Sequence, residues 1–210
     1  MFTLIKREIR DQMIYFIAAA IYAVIPIILM IQAVYQSEIK YLIRALAVIG
    51  IPAGIIAPLV ICAMGVTQMY VDKTRKISAF LSTLSVSRNR ILLARIITGT
   101  LVILIMFGPL VIAASILMRL FPAPIPIYQG MFFDISVTTF LMAFACYCIG
   151  LQTGWTSNAI IPSLGAFGLT CIFIPLVIVK GFGMPIVVIL VLFIAASMIR
   201  SWQIFKSTSL

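Results

Sequence analysis

Residues Asp72–Arg95, DKTRKISAFLSTLSVSRNRILLAR, form the long polar interruption in an otherwise apolar chain. This stretch carries six of the fifteen basic residues. Each basic residue placed at the centre of a bilayer costs roughly 2.5–3.5 kcal/mol, so Lys73, Arg75 and Lys76 together cost on the order of 8–10 kcal/mol. The sequence therefore predicts that this stretch lies outside a membrane.

The same stretch has an apolar pattern of its own. Ile77, Phe80, Leu81 and Leu84 follow the i, i+3, i+4, i+7 spacing of an amphipathic helix. Ser85–Ser87 breaks the pattern, and Ser87 is a suitable N-cap for a helix that restarts at Arg88. Two interpretations are equally open from this pattern: a surface helix that receives force from a partner, or a basic loop held at the lipid surface.

Composition identifies the class of protein. The 210 residues are 64% hydrophobic and only 10% charged, with a mean hydropathy of +1.25. No soluble domain of this size buries so much apolar surface, so we expect an integral membrane protein. The net charge of +10 does not indicate nucleic-acid binding, because the charges cluster at the ends of apolar runs. The four cysteines lie inside those runs and are interpreted as packing residues.

The distribution of apolar runs predicts an all-α, polytopic fold in which residues 1–210 form a single transmembrane domain. Phe2, Ile5, Ile9 and Met13 recur at helical spacing and predict an amphipathic interfacial helix over residues 1–13. Six transmembrane helices are predicted, at about 14–35, 45–71, 91–120, 132–151, 159–179 and 184–200. With both termini cytoplasmic, the inner segments hold eleven basic residues and the outer segments four, which fixes the orientation.

The absence of certain residue types and motifs from the sequence argues against several functions. No predicted span carries an ionisable residue near its middle, which disfavours ion-coupled transport. The chain has no histidine, which removes the usual metal sites and His-activated nucleophiles, so we expect no enzymatic activity. A phosphate-binding GxxxxGK[ST] loop is also absent, so any ATP that drives this protein must be bound by another polypeptide.

With this topology, the chain resembles permease subunits of ABC transporters, specifically the six-span type 2 exporter class. Members open with an amphipathic elbow helix, matched here by Phe2–Met13, and carry a charged loop between spans two and three. That loop follows a pattern of the form D/E-K-x-x-x-x-x-F-L-x-[ST]-L-P-[VL]-[ST]-R, to which Asp72–Arg88 is similar. Ser85 stands where the pattern has proline, and the connection Lys180–Gly183 is shorter than the element that many members carry there.

The resemblance implies that residues 72–90 form a cytoplasmic coupling loop and coupling helix, which docks on a separate ATPase. Carried onto this chain, the coupling residues are Asp72, Lys73, Arg75, Phe80, Leu81, Leu84, Ser87 and Arg88. The implied partners are two copies of an ABC ATPase subunit, which hold the ATP and Mg²⁺, and a second permease copy or a homologous permease chain. This chain itself is expected to hold no cofactor.

The expected function is therefore that of a transmembrane permease in the plasma membrane. It exports a hydrophobic or amphipathic substrate such as a lipid or a peptide. The alternative is a non-transporting membrane scaffold, immunity protein or sensor that binds a partner through the same loop.

Overall fold

The computed structural model describes residues 2–35, 55–71, 88–120, 127–153, 160–180 and 183–207. These residues form seven helices and the described chain is all-α. The helices are α1 (Phe2–Asp11), α2 (Met13–Tyr35), α3 (Ile55–Val71), α4 (Arg88–Leu120), α5 (Ile127–Thr153), α6 (Ile160–Lys180) and α7 (Met184–Ser207). Each predicted span overlaps one of the helices α2–α7. Long apolar helices are the expected result, because in lipid every backbone polar group must be paired within its own segment.

Length and composition mark three of the described helices as candidates for crossing a membrane. They are Asn89–Ile116, Phe132–Thr153 and Met184–Ile204. Helices α1 and α2 meet at a bend of 70°, and the pair adds a fourth candidate if counted as one span. Helix α3 is apolar but shorter, at Ile55–Val71. Three or four candidate spans fit a polytopic membrane protein, and six spans stay a prediction.

The bend between α1 and α2 falls at Gln12. The backbone N–H of Gln12 donates to the carbonyl oxygen of Glu8 at 3.0 Å, and the Gln12 carbonyl accepts from Tyr15 at 3.0 Å and from Phe16 at 3.3 Å. Gln12 therefore closes the last turn of α1 through its N–H and opens the first turn of α2 through its carbonyl oxygen. The bend sets α1 at a steep angle to α2, as expected for a helix that lies along a membrane surface.

Two hydrophobic clusters pack the helices together, and α5 contributes to both. The first joins α2, α3, α4 and α5 through residues such as Ala19, Ile61, Ile103 and Tyr147. The second joins α3, α5, α6 and α7. About 44% of the candidate span in α5 is buried, against 17% in α7. Helix α5 is therefore the centre of the described fold, and α7 lies at its edge.

Large apolar side chains cover much of the outer surface. Ile14 is 79% exposed and Met184 is 77% exposed, and Ile112, Leu164 and Leu192 are also exposed. Contiguous apolar surface of this kind is rare on soluble monomers and marks contact with lipid or with another chain. The exposed surface therefore agrees with the class that the composition predicts.

Candidate functional site: a polar cluster between the helices that flank residues 72–87

Most of the predicted coupling residues lie outside the described residues. These are Asp72, Lys73, Arg75, Phe80, Leu81, Leu84 and Ser87. The described part of α4 begins with Arg88, and residues 88–90 of the predicted loop are helical. The structure therefore describes the two helix ends that flank the segment, the C-terminus of α3 and the N-terminus of α4.

Helix α1 has three distinct faces. Glu8 and Gln12 are buried, and Leu4 packs against the first hydrophobic cluster, so positions 4, 8 and 12 face the protein. Lys6 and Arg10 are exposed on another side, while Ile5 and Ile9 are half-buried between the two. Of the residues predicted for the apolar face, Phe2 begins α1 and Met13 begins α2 with 58% of its surface exposed. The predicted helix is thus attached to the bundle by a polar face that the sequence pattern did not reveal.

Glu8 forms an ion pair with the buried base of α4. Its Oε1 lies 3.6 Å from Nε of Arg95 and 3.5 Å from a terminal nitrogen of Arg7. Arg95 is only 2% exposed, whereas the Arg7 side chain is 27% exposed. A buried guanidinium without a counter-charge is strongly unfavourable. Glu8 therefore balances Arg95 and fixes α1 to α4.

Arg95 also contacts the last turns of α3. One of its terminal nitrogens donates to Sδ of Met69 at 3.2 Å. The hydroxyl of Tyr147, on α5, lies 2.7 Å from Oε1 of Gln68 and 2.9 Å from the backbone carbonyl oxygen of Arg95. Both of these atoms are acceptors, so they share the one proton of the hydroxyl. These contacts join the end of α3 to the start of α4 through α5.

We call Glu8, Gln68, Arg95 and Tyr147 the polar cluster. Its four members come from α1, α3, α4 and α5, and each is buried. Nε2 of Gln68 has no hydrogen-bond partner among the described residues, and Nε of Arg95 makes the ion pair with Glu8 in place of a hydrogen bond. A buried hydrogen-bonded network of this kind holds its helices in one arrangement more strongly than apolar contact alone.

Glycines allow Tyr147 and α5 to come this close to their neighbours. A Cβ atom at Gly99 of α4 would overlap Cζ of the Tyr147 ring. A Cβ at Gly65 of α3 would lie 2.7 Å from the Tyr147 carbonyl oxygen, and one at Gly150 of α5 would overlap the Cys62 carbonyl oxygen. Helices α3 and α5 therefore cross with their backbones in contact, as small residues permit in membrane helix pairs.

Two further hydrogen bonds join the same end of the bundle. Nε2 of Gln152, near the end of α5, donates to the Ser197 carbonyl oxygen of α7 at 3.0 Å. Nε1 of Trp202, also on α7, donates to Oδ1 of Asn89 at 3.0 Å. The C-terminal ends of α3, α5 and α7 and the N-terminal end of α4 thus meet at one end, together with α1. The two described chain ends therefore lie on the same side of the bundle.

A cavity of about 160 Å³ lies between α2, α3 and α4. Tyr15, Tyr22, Ala19, Met64 and Met106 are among the residues that line it. The Tyr15 hydroxyl is 3.1 Å from Oγ1 of Thr67, which in turn donates to the Met64 carbonyl at 2.9 Å. Cavities of this size hold a benzene-sized group. This cavity is therefore too small to serve as a transport pathway through the described bundle.

The polar cluster is the part of the site that sequence reasoning missed. The sequence predicts that Arg95 lies outside the membrane with the other basic residues of the 72–95 stretch, yet it is buried two turns into α4. One signal was present: Leu92, Leu93, Ile96 and Ile97 surround Arg95 in an apolar run. A basic residue inside such a run needs a buried counter-charge, and Glu8 supplies it from 87 positions earlier in the sequence.

Comparison of the chain with models of known protein families, with characterised proteins and with solved structures gave no significant match. We therefore infer function from the residues and geometry of this chain.

Proposed function

We propose that this protein is the membrane-spanning permease subunit of an ATP-driven ABC transporter. The observation that supports the proposal best is the polar cluster, which joins both helix ends that flank residues 72–87 to α1 and α5. A partner that moved this segment would move α3 and α4 first. Through the cluster, the displacement would pass to the elbow helix and to the central helix of the bundle.

In this proposal the six predicted spans cross the plasma membrane with both termini in the cytoplasm. Two ATPase subunits dock on residues 72–90, with Phe80, Leu81 and Leu84 as the apolar anchor. Asp72, Lys73, Arg75, Ser87 and Arg88 complete the contact. ATP binding in those subunits then switches the permease between inward-open and outward-open states.

In this proposal the pathway is dimeric, and the cargo crosses between this chain and a second permease chain. The described cavity of about 160 Å³ is too small to pass a lipid or a peptide. A hydrophobic or amphipathic cargo suits spans that carry so few charges. Export is the direction that the resemblance to type 2 permeases supports.

The test is affinity purification of the tagged full-length chain from its native membrane in mild detergent, with identification of the proteins that co-purify. We expect an ATP-binding-cassette subunit with the wild type and its loss from the variant Phe80→Ala/Leu84→Ala. The matched control is Ile112→Ala/Ile116→Ala, which removes two exposed apolar side chains from the far part of α4. This control should keep the ATPase.

A second measurement separates docking from coupling. The purified complex, reconstituted in lipid vesicles, should hydrolyse ATP, and Tyr147→Phe should lower that rate while the ATPase remains bound. Recovery of the intact chain without any ATPase would refute the permease proposal. The non-transporting scaffold, immunity protein or sensor would then be the better interpretation of residues 72–90.

A further inference from the structure

We propose that α1 binds the phosphate group of an anionic phospholipid through Lys6 and Arg10. The two residues lie one helical turn apart, and both are exposed. Side chains at i and i+4 of a helix are neighbours, so the two cations converge on one patch of surface. This inference concerns the lipid partner of α1 and does not depend on the permease function.

Lys6 and Arg10 form no ion pair with another described residue. Both ion pairs among the described residues involve Glu8, whose partners are Arg7 and Arg95. Four of the five charged residues of α1 fall into two sets, and the fifth, Asp11, is exposed at its end. Glu8 and Arg7 serve the attachment to α4, while Lys6 and Arg10 point away from it and remain available to an external anion.

The orientation of α1 places the patch at the level of lipid head groups. Its axis is bent by 70° from α2, so it lies about 20° from the membrane plane when α2 follows the membrane normal (90° minus 70°). Met13 and Ile14 at the joint are 58% and 79% exposed, and such side chains belong in the hydrocarbon. Lys6 and Arg10 lie one to two helical turns before this joint, where an interfacial helix meets the phosphate groups.

The adjoining apolar surface favours a lipid over an acidic protein as the source of the phosphate. Ile9, half-buried beside Arg10, and exposed Ile14 offer contact to acyl chains next to the two cations. A single phospholipid contacts the two cations with its phosphate group and the isoleucines with its acyl chains. Basic residues at this boundary are known to attract anionic lipids electrostatically.

Native mass spectrometry of the detergent-purified full-length chain tests the proposal. The probes are phosphatidylglycerol and phosphatidylcholine with identical acyl chains, titrated separately. We expect Lys6→Gln/Arg10→Gln to lower the affinity for phosphatidylglycerol about 10- to 30-fold and to leave phosphatidylcholine binding unchanged. The charge-preserving variant Lys6→Arg/Arg10→Lys should retain the wild-type affinity within about threefold.

The matched control is Arg119→Gln/Arg200→Gln, which removes the same charge from two other exposed positions. An equal fall in this control would show that net charge alone sets the affinity, and would overturn the proposal. Displacement of phosphatidylglycerol by millimolar inorganic phosphate would overturn it too, because the site would then take a free anion. An unchanged affinity of Lys6→Gln/Arg10→Gln for phosphatidylglycerol would also overturn the proposal.

The wild type offers a measurement that needs no variant. The preference for phosphatidylglycerol over phosphatidylcholine should fall steeply as sodium chloride rises from low to high concentration, because salt screens exposed charges. A preference that does not change with salt would contradict the proposal. If Lys6→Gln/Arg10→Gln keeps the lipid but loses a co-purifying protein, the patch binds an acidic protein surface instead.

Discussion

Removing the charge of Glu8 should destabilise the protein strongly although the side chain keeps its shape. In Glu8→Gln, Arg95 loses the carboxylate 3.6 Å from its Nε, and burial to 2% exposure leaves its charge without water. The Coulomb energy of one such pair is about 4–5 kcal/mol at an effective dielectric constant of about 20. Breaking a buried pair from one side typically costs about 3–5 kcal/mol. We expect the free energy of unfolding to fall by about 3–5 kcal/mol.

The assay is unfolding of the purified chain from mixed micelles, followed by far-ultraviolet circular dichroism and by tryptophan fluorescence. Arg7→Gln is the matched control, because it removes the other, more exposed partner of the same carboxylate, and it should cost less than about 1 kcal/mol. The double variant Glu8→Gln/Arg95→Met removes both charges and should be more stable than the sum of the two single losses predicts. Equal and small losses in Glu8→Gln and Arg7→Gln would refute the role of the ion pair.

Three further changes test the packing around the polar cluster in the same unfolding assay. Tyr147→Phe removes the hydroxyl that donates to Gln68 and to the Arg95 carbonyl and should cost about 1–3 kcal/mol; no loss would contradict a structural role for the hydroxyl. Gly99→Ala should cost about 1–3 kcal/mol by displacing the Tyr147 ring, whereas Gly108→Ala on the same helix meets open space and should be neutral or gain up to about 1 kcal/mol. Gly150→Ala should cost about 3 kcal/mol by separating the backbones of α3 and α5. Its control Gly165→Ala also faces open space and should not cost this energy. Similar losses for the two variants would contradict the close crossing of α3 and α5.

The class of the fold follows from the sequence because it depends on composition and on local pattern. Runs of about 20 apolar residues have few alternatives to helix formation in a membrane. The amphipathic pattern of Phe2–Met13 is local too, and α1 forms there.

The polar cluster was not predictable, because its contacts connect distant parts of the chain. Glu8 meets Arg95, and Gln68 meets Tyr147 across 79 positions. Nothing in the neighbours of Glu8 distinguishes it from the exposed residues Lys6 and Arg10, since the apolar spacing of α1 assigns all three to its polar side. Only the packing of α1 against α4 separates a buried carboxylate from exposed cations on one short helix.

The location of the polar cluster has a consequence for how movement would pass through the bundle. Val71 ends α3 and Arg88 begins α4, and within two turns of these ends Gln68 and Arg95 are held by the same hydroxyl of Tyr147. A force on residues 72–87 therefore acts on two helix ends that are joined to each other, and separating these ends requires breaking buried hydrogen bonds. Because Arg95 is also paired with Glu8, the pair of helices carries α1 with it. We expect α1, α3 and α4 to move together with α5, which carries Tyr147, when a partner acts on this segment, so Tyr147→Phe should weaken coupling before it weakens partner binding.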